Sequence, residues 1–171
     1  APMCTGTFRT GNLVDVTGPG AAITSPFDGQ SVSVEDLVPI RTRATDDTGV
    51  SVIETLEGTR RIGRDAPAST STVTTYDGLV YWDTHGVATG TRHTLLSRVF
   101  DIDSNVSTST PVTVMARAVH CFDGRRSADE TGLDCGGSDC GACSGGACAV
   151  DLDCAGGVCR TGICIEQPII T

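Results

Sequence analysis

Lysine is missing altogether. All twelve basic residues of the 171-residue chain are arginine, which excludes a Schiff-base lysine, a phosphate-loop lysine and lysine–asparagine isopeptide cross-links. Aromatic residues are scarce at 4%, with one Trp, two Tyr and four Phe, too few for the row of exposed rings that a carbohydrate platform needs. No apolar run approaches the ~18–20 residues that cross a bilayer. Positive charge is in the minority: the net charge is −9, which excludes nucleic acid as a partner. Enzyme signatures are lacking too. There is no Gly-x-Ser-x-Gly, no His-Glu-x-x-His and no Gly-rich phosphate loop. His85, His93 and His120 stand apart from one another and from any recognisable nucleophile motif. Gly18-Pro19-Gly20 reads as a linker, because Pro removes one of the N–H donors a phosphate nest requires. No signal-peptide pattern opens the chain, so Ala1 reads as a processed N-terminus or a chosen boundary, with export already done.

Cysteine is what the chain has in excess. Cys4 stands alone, and the other eight of the nine fall at 121, 135, 140, 143, 148, 154, 159 and 164. Composition breaks near Val119–His120. Thr- and Val-rich sequence lies upstream, and Gly, Asp and Cys downstream. The downstream segment has almost no apolar residue with which to build a core, so it needs covalent staples. Cys140-x-x-Cys143 has the spacing of half a zinc site, but no second such pair follows, and His120 is the only nearby histidine. The expectation is a disulfide framework of Cys121, Cys135, Cys140, Cys143, Cys148, Cys154, Cys159 and Cys164, in a secreted or cell-surface setting. The close spacing after Cys148 favours Cys148–Cys159 and Cys154–Cys164.

The upstream half reads as strands: Ala21–Ser25, Leu37–Ala44, Val50–Leu56, an edge strand Thr59–Ile62 carrying Arg60 and Arg61, Ser71–Tyr76, Leu79–Trp82, His93–Phe100 and Val106–Ala118. Turns are expected at Phe27-Asp28-Gly29, Asp46–Gly49, Asp77-Gly78 and Asp101–Asn105. Roughly seven strands at near-regular spacing point to a Greek-key β-sandwich. The fold class expected is all-β: an Ig-like Greek-key β-sandwich plus a small, loop-dominated, disulfide-rich module. The expected divisions are 1–19 as an N-terminal segment able to serve as an assembly strand, 20–118 as the sandwich, 119–164 as the module and 165–171 as a tail.

Ile23-Thr24-Ser25-Pro26, Asp28-Gly29 and Ala44 through Val50, then Tyr81-Trp82-Asp83-Thr84, Thr89-Gly90, His93-Thr94-Leu95, Arg98, Asp101 through Val106 and Pro111–Val114 stand in order. This series resembles the bacterial immunoglobulin-like domains of large secreted and surface proteins, over roughly residues 20–117. The departure is at Val50–Gly58, one residue short, with Glu54 and Thr55 in place of bulkier side chains. Downstream, Cys121-Phe122-Asp123-Gly124, Asp129 through Gly137 and Cys140-Gly141-Ala142-Cys143 resemble a cysteine-rich module of secreted myxobacterial proteins. Cys148, Asp153-Cys154, Gly157-Val158-Cys159 and Gly162-Ile163-Cys164 complete that resemblance. The tail is also similar to small Cys-knot-like segments of secreted signalling antagonists of animals, a likeness of disulfide geometry.

Several residues stand out as candidate sites. Asp46, Asp47, Asp101 and Asp103 lie in two turns that a sandwich can bring to one end, where four carboxylates would suit calcium. Against this, Asp is a good turn residue that satisfies its own backbone. Calcium is the one cofactor these residues suggest. Trp82, inside a strand, reads as a core residue. If Leu95, Ser97 and Val99 face the core, Leu96 and Phe100 face outward as a contact patch. Ile169 and Ile170 make the tail apolar enough to pair with a neighbour, and Thr7–Thr10 could add to a sheet edge. Asn105-Val106-Ser107 matches the glycosylation sequon. Cys4, left over by parity, is expected as a shielded thiol beside Met3 and Phe8. The alternatives are a symmetric dimer or a bridge that leaves another cysteine odd.

No catalytic residue is expected. The leading function is a non-catalytic extracellular structural or adhesion protein, as in a surface filament. The partners expected are further copies of the chain or other extracellular proteins. The alternatives are accessory domains of a larger secreted hydrolase, and a carbohydrate-binding module.

Overall fold

The computed structural model describes residues 15–68 and 72–166. Among them, nine strands form the two sheets of a sandwich: β1 Gly20–Ser25, β2 Ser31–Ser33, β3 Leu37–Thr45, β4 Val50–Glu57, β5 Arg60–Asp65, β6 Thr75–Asp83, β7 Arg92–Asp101, β8 Val106–Thr108 and β9 Val112–Arg117. One sheet is ordered β1-β3-β6; the other is β2-β9-β7-β4-β5, with β8 paired to β7. The chain changes sheets between β1 and β2, and β2 runs parallel to β9. Two short antiparallel strands, β10 Cys159–Arg160 and β11 Ile163–Cys164, lie in the cysteine-rich segment. No helix of the described residues is long and apolar enough to cross a membrane.

The two-residue period of the side chains explains the core. In β3, Val38, Ile40, Thr42 and Ala44 are buried, while Leu37, Pro39, Arg41, Arg43 and Thr45 face out. Leu95, Ser97, Val99 and Asp101 are the buried set of β7. Two apolar clusters result. One gathers Val32, Val38, Ile40, Trp82, Leu95, Val112 and Val114; the other gathers Ala44, Val50, Ile53 and Val99. Between them the hydroxyls of Thr42 and Ser97 meet across the two sheets at 2.7 Å. A buried hydroxyl pair is tolerated because each satisfies the other, and the Oγ of Ser109 accepts from the Ser97 N–H at 3.0 Å.

The strand expectations need three corrections. Asp77-Gly78 is not a turn: β6 runs straight through it, with Asp77 opposite Arg43 and Gly78 opposite Thr42. Asp77 is held there by a two-pronged ion pair with Arg43, Nε to Oδ1 at 2.8 Å and Nη2 to Oδ2 at 2.9 Å. Gly78 is needed because the sheets approach closely; a Cβ there would stand 2.7 Å from Ile53 Cδ1. Val106–Ala118 is two strands, broken at Ser109–Pro111 where the chain steps from one stretch of the β7 edge to the next. Ser31–Ser33 is a strand that its short polar sequence conceals.

At Val50–Gly58 the structure shows how a mismatched strand is accommodated. One extra residue between Val50 and Val52 bulges against β7, so Val50 and Ile53 both point inward. Glu54 then lies on the outer face against Arg61 and Arg98, and Thr55 fills a fully buried position.

Candidate functional site: the two poles of the sandwich

The ten residues of β7 span about 30 Å at about 3.3 Å per residue. Its two ends carry different structures.

At the Asp101 end the turns after β3 and β7 meet. The Ile102 N–H donates to the Gly49 carbonyl at 2.9 Å. Asp46 Oδ1 accepts from the backbone N–H groups of Thr48 at 2.9 Å and Gly49 at 2.7 Å. Asp101 is buried, and its carboxylate accepts from the Asn105 backbone N–H at 2.8 Å and side-chain amide at 2.7 Å. The incoming segment is stitched to the same end. Thr48 Oγ1 donates to Asp15 Oδ2 at 3.1 Å, and Asn105 Nδ2 donates to the Asp15 carbonyl at 3.1 Å. The Thr17 N–H holds Asp15 below the usual carboxylate range.

The structure therefore groups Asp46 and Asp47 with Asp15, their carboxylate oxygens lying within 4.8 Å of one another, and leaves Asp101 and Asp103 outside that group. Asp15 carried no signal in the sequence, because only the fold brings it to the turn. Asn105, the sequon residue, has its amide engaged twice within the protein.

At the Arg92 end the chain leaves β9 and enters the cysteine-rich segment. Four disulfides close it: Cys121–Cys140, Cys135–Cys143, Cys148–Cys159 and Cys154–Cys164. The last two are the pairs that the close spacing favoured. Between residues 119 and 166, Leu152 is the only buried apolar side chain that is not a cysteine. The segment is thus held by covalent bridges and backbone turns. Asp153 shows how: its Oδ2 accepts from the N–H groups of Ala149 at 2.7 Å and Val150 at 3.0 Å. Those two bonds, Ala149 first, hold its pKa down.

Arg117, the last residue of β9, joins the two parts. Its side chain is buried, with Nη2 donating to the Leu152 carbonyl at 2.7 Å, Nη1 to the Asp139 carbonyl at 3.4 Å and Nε to Ser31 Oγ at 3.4 Å. Burial pushes the guanidinium's pKa down, but an arginine stays charged. Its donors are met by two carbonyls and a hydroxyl, with Asp153 contributing favourable charge at longer range. Backbones also approach here: a Cβ on Gly157 would stand 2.9 Å from the Gly29 carbonyl. Neither Arg117 nor Gly157 could be singled out from sequence, because their partners are backbone groups distant along the chain.

Leu96 and Phe100 are half-buried on the outer face of β7. Cross-strand pairs Leu56–Leu96, Glu54–Arg98 and Val52–Phe100 line that face. Trp82 is buried in the core, with its ring centroid 5.0 Å from that of His93. Cys4, Ile169, Ile170 and Thr7–Thr10 lie outside the described residues.

The sandwich has a counterpart in fold among solved structures. A search of the curated proteins gave no match. Among solved structures, the adhesin SrpA of Streptococcus sanguinis aligns with a TM-score of 0.50 at 19% identity, over 70% of this chain and 65% of that one. At that identity the likeness is one of fold alone. The fibronectin(III)-like modules of Clostridium thermocellum CbhA align with a TM-score of 0.45 at 21% identity, over 58% of this chain and 97% of that one. The family model for the bacterial Ig domain matches residues 19–95. The match covers less than half of the chain and falls within the sandwich; the structure is an all-β sandwich followed by a cysteine-rich stretch that four disulfides close.

Proposed function

We propose that the protein is a non-catalytic extracellular building block, a structural or adhesion subunit that associates head to tail at a bacterial surface. The observation that carries this reading is the polarity of the molecule. The incoming segment is stitched to one end of β7 through Asp15, Thr48 and Asn105, and the disulfide-closed segment is docked at the other through Arg117. Two different surfaces at opposite ends make a heterologous contact, which propagates into an open chain unless rotation closes a ring. Four disulfides suit an oxidising compartment, where a segment with so small a core stays folded. The test is sedimentation velocity of the full oxidised chain over a wide concentration range. An open-ended series of species growing with concentration is expected. A single monomer boundary at every concentration contradicts the proposal.

A further inference from the structure

We propose that His120, Asp129 and Asp139 form a binding site for a divalent cation of the zinc class, at the root of the disulfide-rich segment. The ligand-capable atoms of these three side chains lie within 4.8 Å of one another. Covalent structure brings them there. His120 precedes Cys121 and Asp139 precedes Cys140, and Cys121 is bridged to Cys140, so the disulfide sets the two ligands side by side. Asp129 is delivered by the turn that buries its neighbour Glu130, whose Oε2 accepts from the Ser127 N–H at 2.9 Å. The carboxylate of Asp129 is then gripped by the Ser138 N–H at 2.6 Å, next to Asp139. Gly137, at φ +76°, lets the loop close over it, since a Cβ there would stand 2.6 Å from the Asp129 carboxyl carbon.

A second observation points to a missing partner. The Nε2 atom of His120 is sealed from solvent and has no hydrogen-bond partner among the described residues. A buried polar atom left unmet is costly, and an unplaced ion is one of the recognised explanations for such an atom. The donor set decides the class of ion. One imidazole and two carboxylates leaving a fourth position open is the ligand count of an open zinc site. Calcium and magnesium prefer shells of oxygen alone. Thiolate coordination is excluded because the nearby Cys121 and Cys140 are joined in a disulfide. Ligand atoms around tetrahedral zinc stand about 3.3 Å apart, given bonds near 2.0 Å. Asp129 is fixed by the Ser138 N–H, and the exposed Asp139 side chain turns toward it to close that gap. The ion would brace the turn after β9 against the loop before Cys140, directly beside the Asp139 carbonyl that receives Arg117. The inference does not depend on head-to-tail association.

The experiment titrates chelator-treated, fully oxidised chain with Zn²⁺ alone by calorimetry and follows the ring nitrogens of the three histidines by NMR. The expected result is saturation at one Zn²⁺ per chain, with the His120 signals displaced and those of His85 and His93 unmoved. Asp129→Asn and Asp139→Asn should each weaken binding at least tenfold, and His120→Gln should abolish it. Asp46→Asn, at the opposite pole, should leave it intact. Absence of saturable binding overturns the site, as does binding that leaves the His120 nitrogens unmoved or survives Asp139→Asn. If His120→Gln fails to form its disulfides, the exposed Asp139→Asn variant carries the test.

Discussion

Thr42 and Ser97 hydrogen-bond across the two sheets between the two apolar clusters of the described core. Removing one partner strands the other in an apolar environment. Thr42→Val should therefore destabilise the sandwich by about 1–3 kcal/mol, while Thr42→Val with Ser97→Ala should recover most of that loss. Urea unfolding of the two single variants and the double variant measures the coupling. On the outer face, Glu54 takes Arg61 and Arg98 together, and the hydrogen bond from Arg61 is the chief reason its carboxyl lies below the ordinary value of 4.5. A depressed folded pKa adds stability that is present above the unfolded pKa and is lost as pH falls through the folded one. Stability should thus decline below about pH 4.5, and Glu54→Gln should flatten that decline in a pH series of unfolding curves. The carboxylates of the turns and the eight clustered cysteines were legible because Asp in turns and dense Cys are local signals. Arg117 and Asp15 were not, since they act on groups that only the fold makes neighbours.

At the scale of the element, strands with clean alternation read well. Leu37–Thr45 and Arg92–Asp101 are such strands, each with its inner and outer sets as the pattern dictates. Local turn chemistry misled at Asp77-Gly78, where the pairing of β3 with β6 and the Arg43 ion pair outweigh the preference of an Asp-Gly pair for a bend. Glycine is present there for space between the sheets. Gly78→Ala should therefore cost about 1–3 kcal/mol through overpacking against Ile53, although alanine is ordinarily no worse than glycine in a strand. Thermal unfolding of that variant beside Gly58→Ala separates the two effects: Gly58 has open space around its missing Cβ but φ +58°, so any loss there reflects backbone strain. β2 was not legible because three residues of Ser-Val-Ser carry no usable period, and its parallel pairing with β9 is a tertiary contact. The bulge in β4 was not legible: the stretch reads as one residue short of the family pattern, whereas the bulge sets one residue more against β7.

The whole molecule divides its stability between two kinds of bond. The sandwich has two apolar clusters, whereas the segment from 119 to 166 buries Leu152 and cysteines. Its bridges close short loops, with sequence separations of 19, 8, 11 and 10 residues, each worth about 2–4 kcal/mol. Reduction should therefore melt the cysteine-rich segment and leave the β signal of the sandwich. Hydrogen exchange after reductant treatment checks this, and loss of protection in β3 and β7 would show that the two parts fold as one. The placement of the incoming segment and the docked segment at opposite ends of β7 underlies the proposed head-to-tail association, and electron microscopy of the concentrated, oxidised full chain tests it most directly. Single-file strings of globules with one repeating polarity are the predicted image. Isolated particles, or closed two-fold dimers with like ends joined, would contradict it.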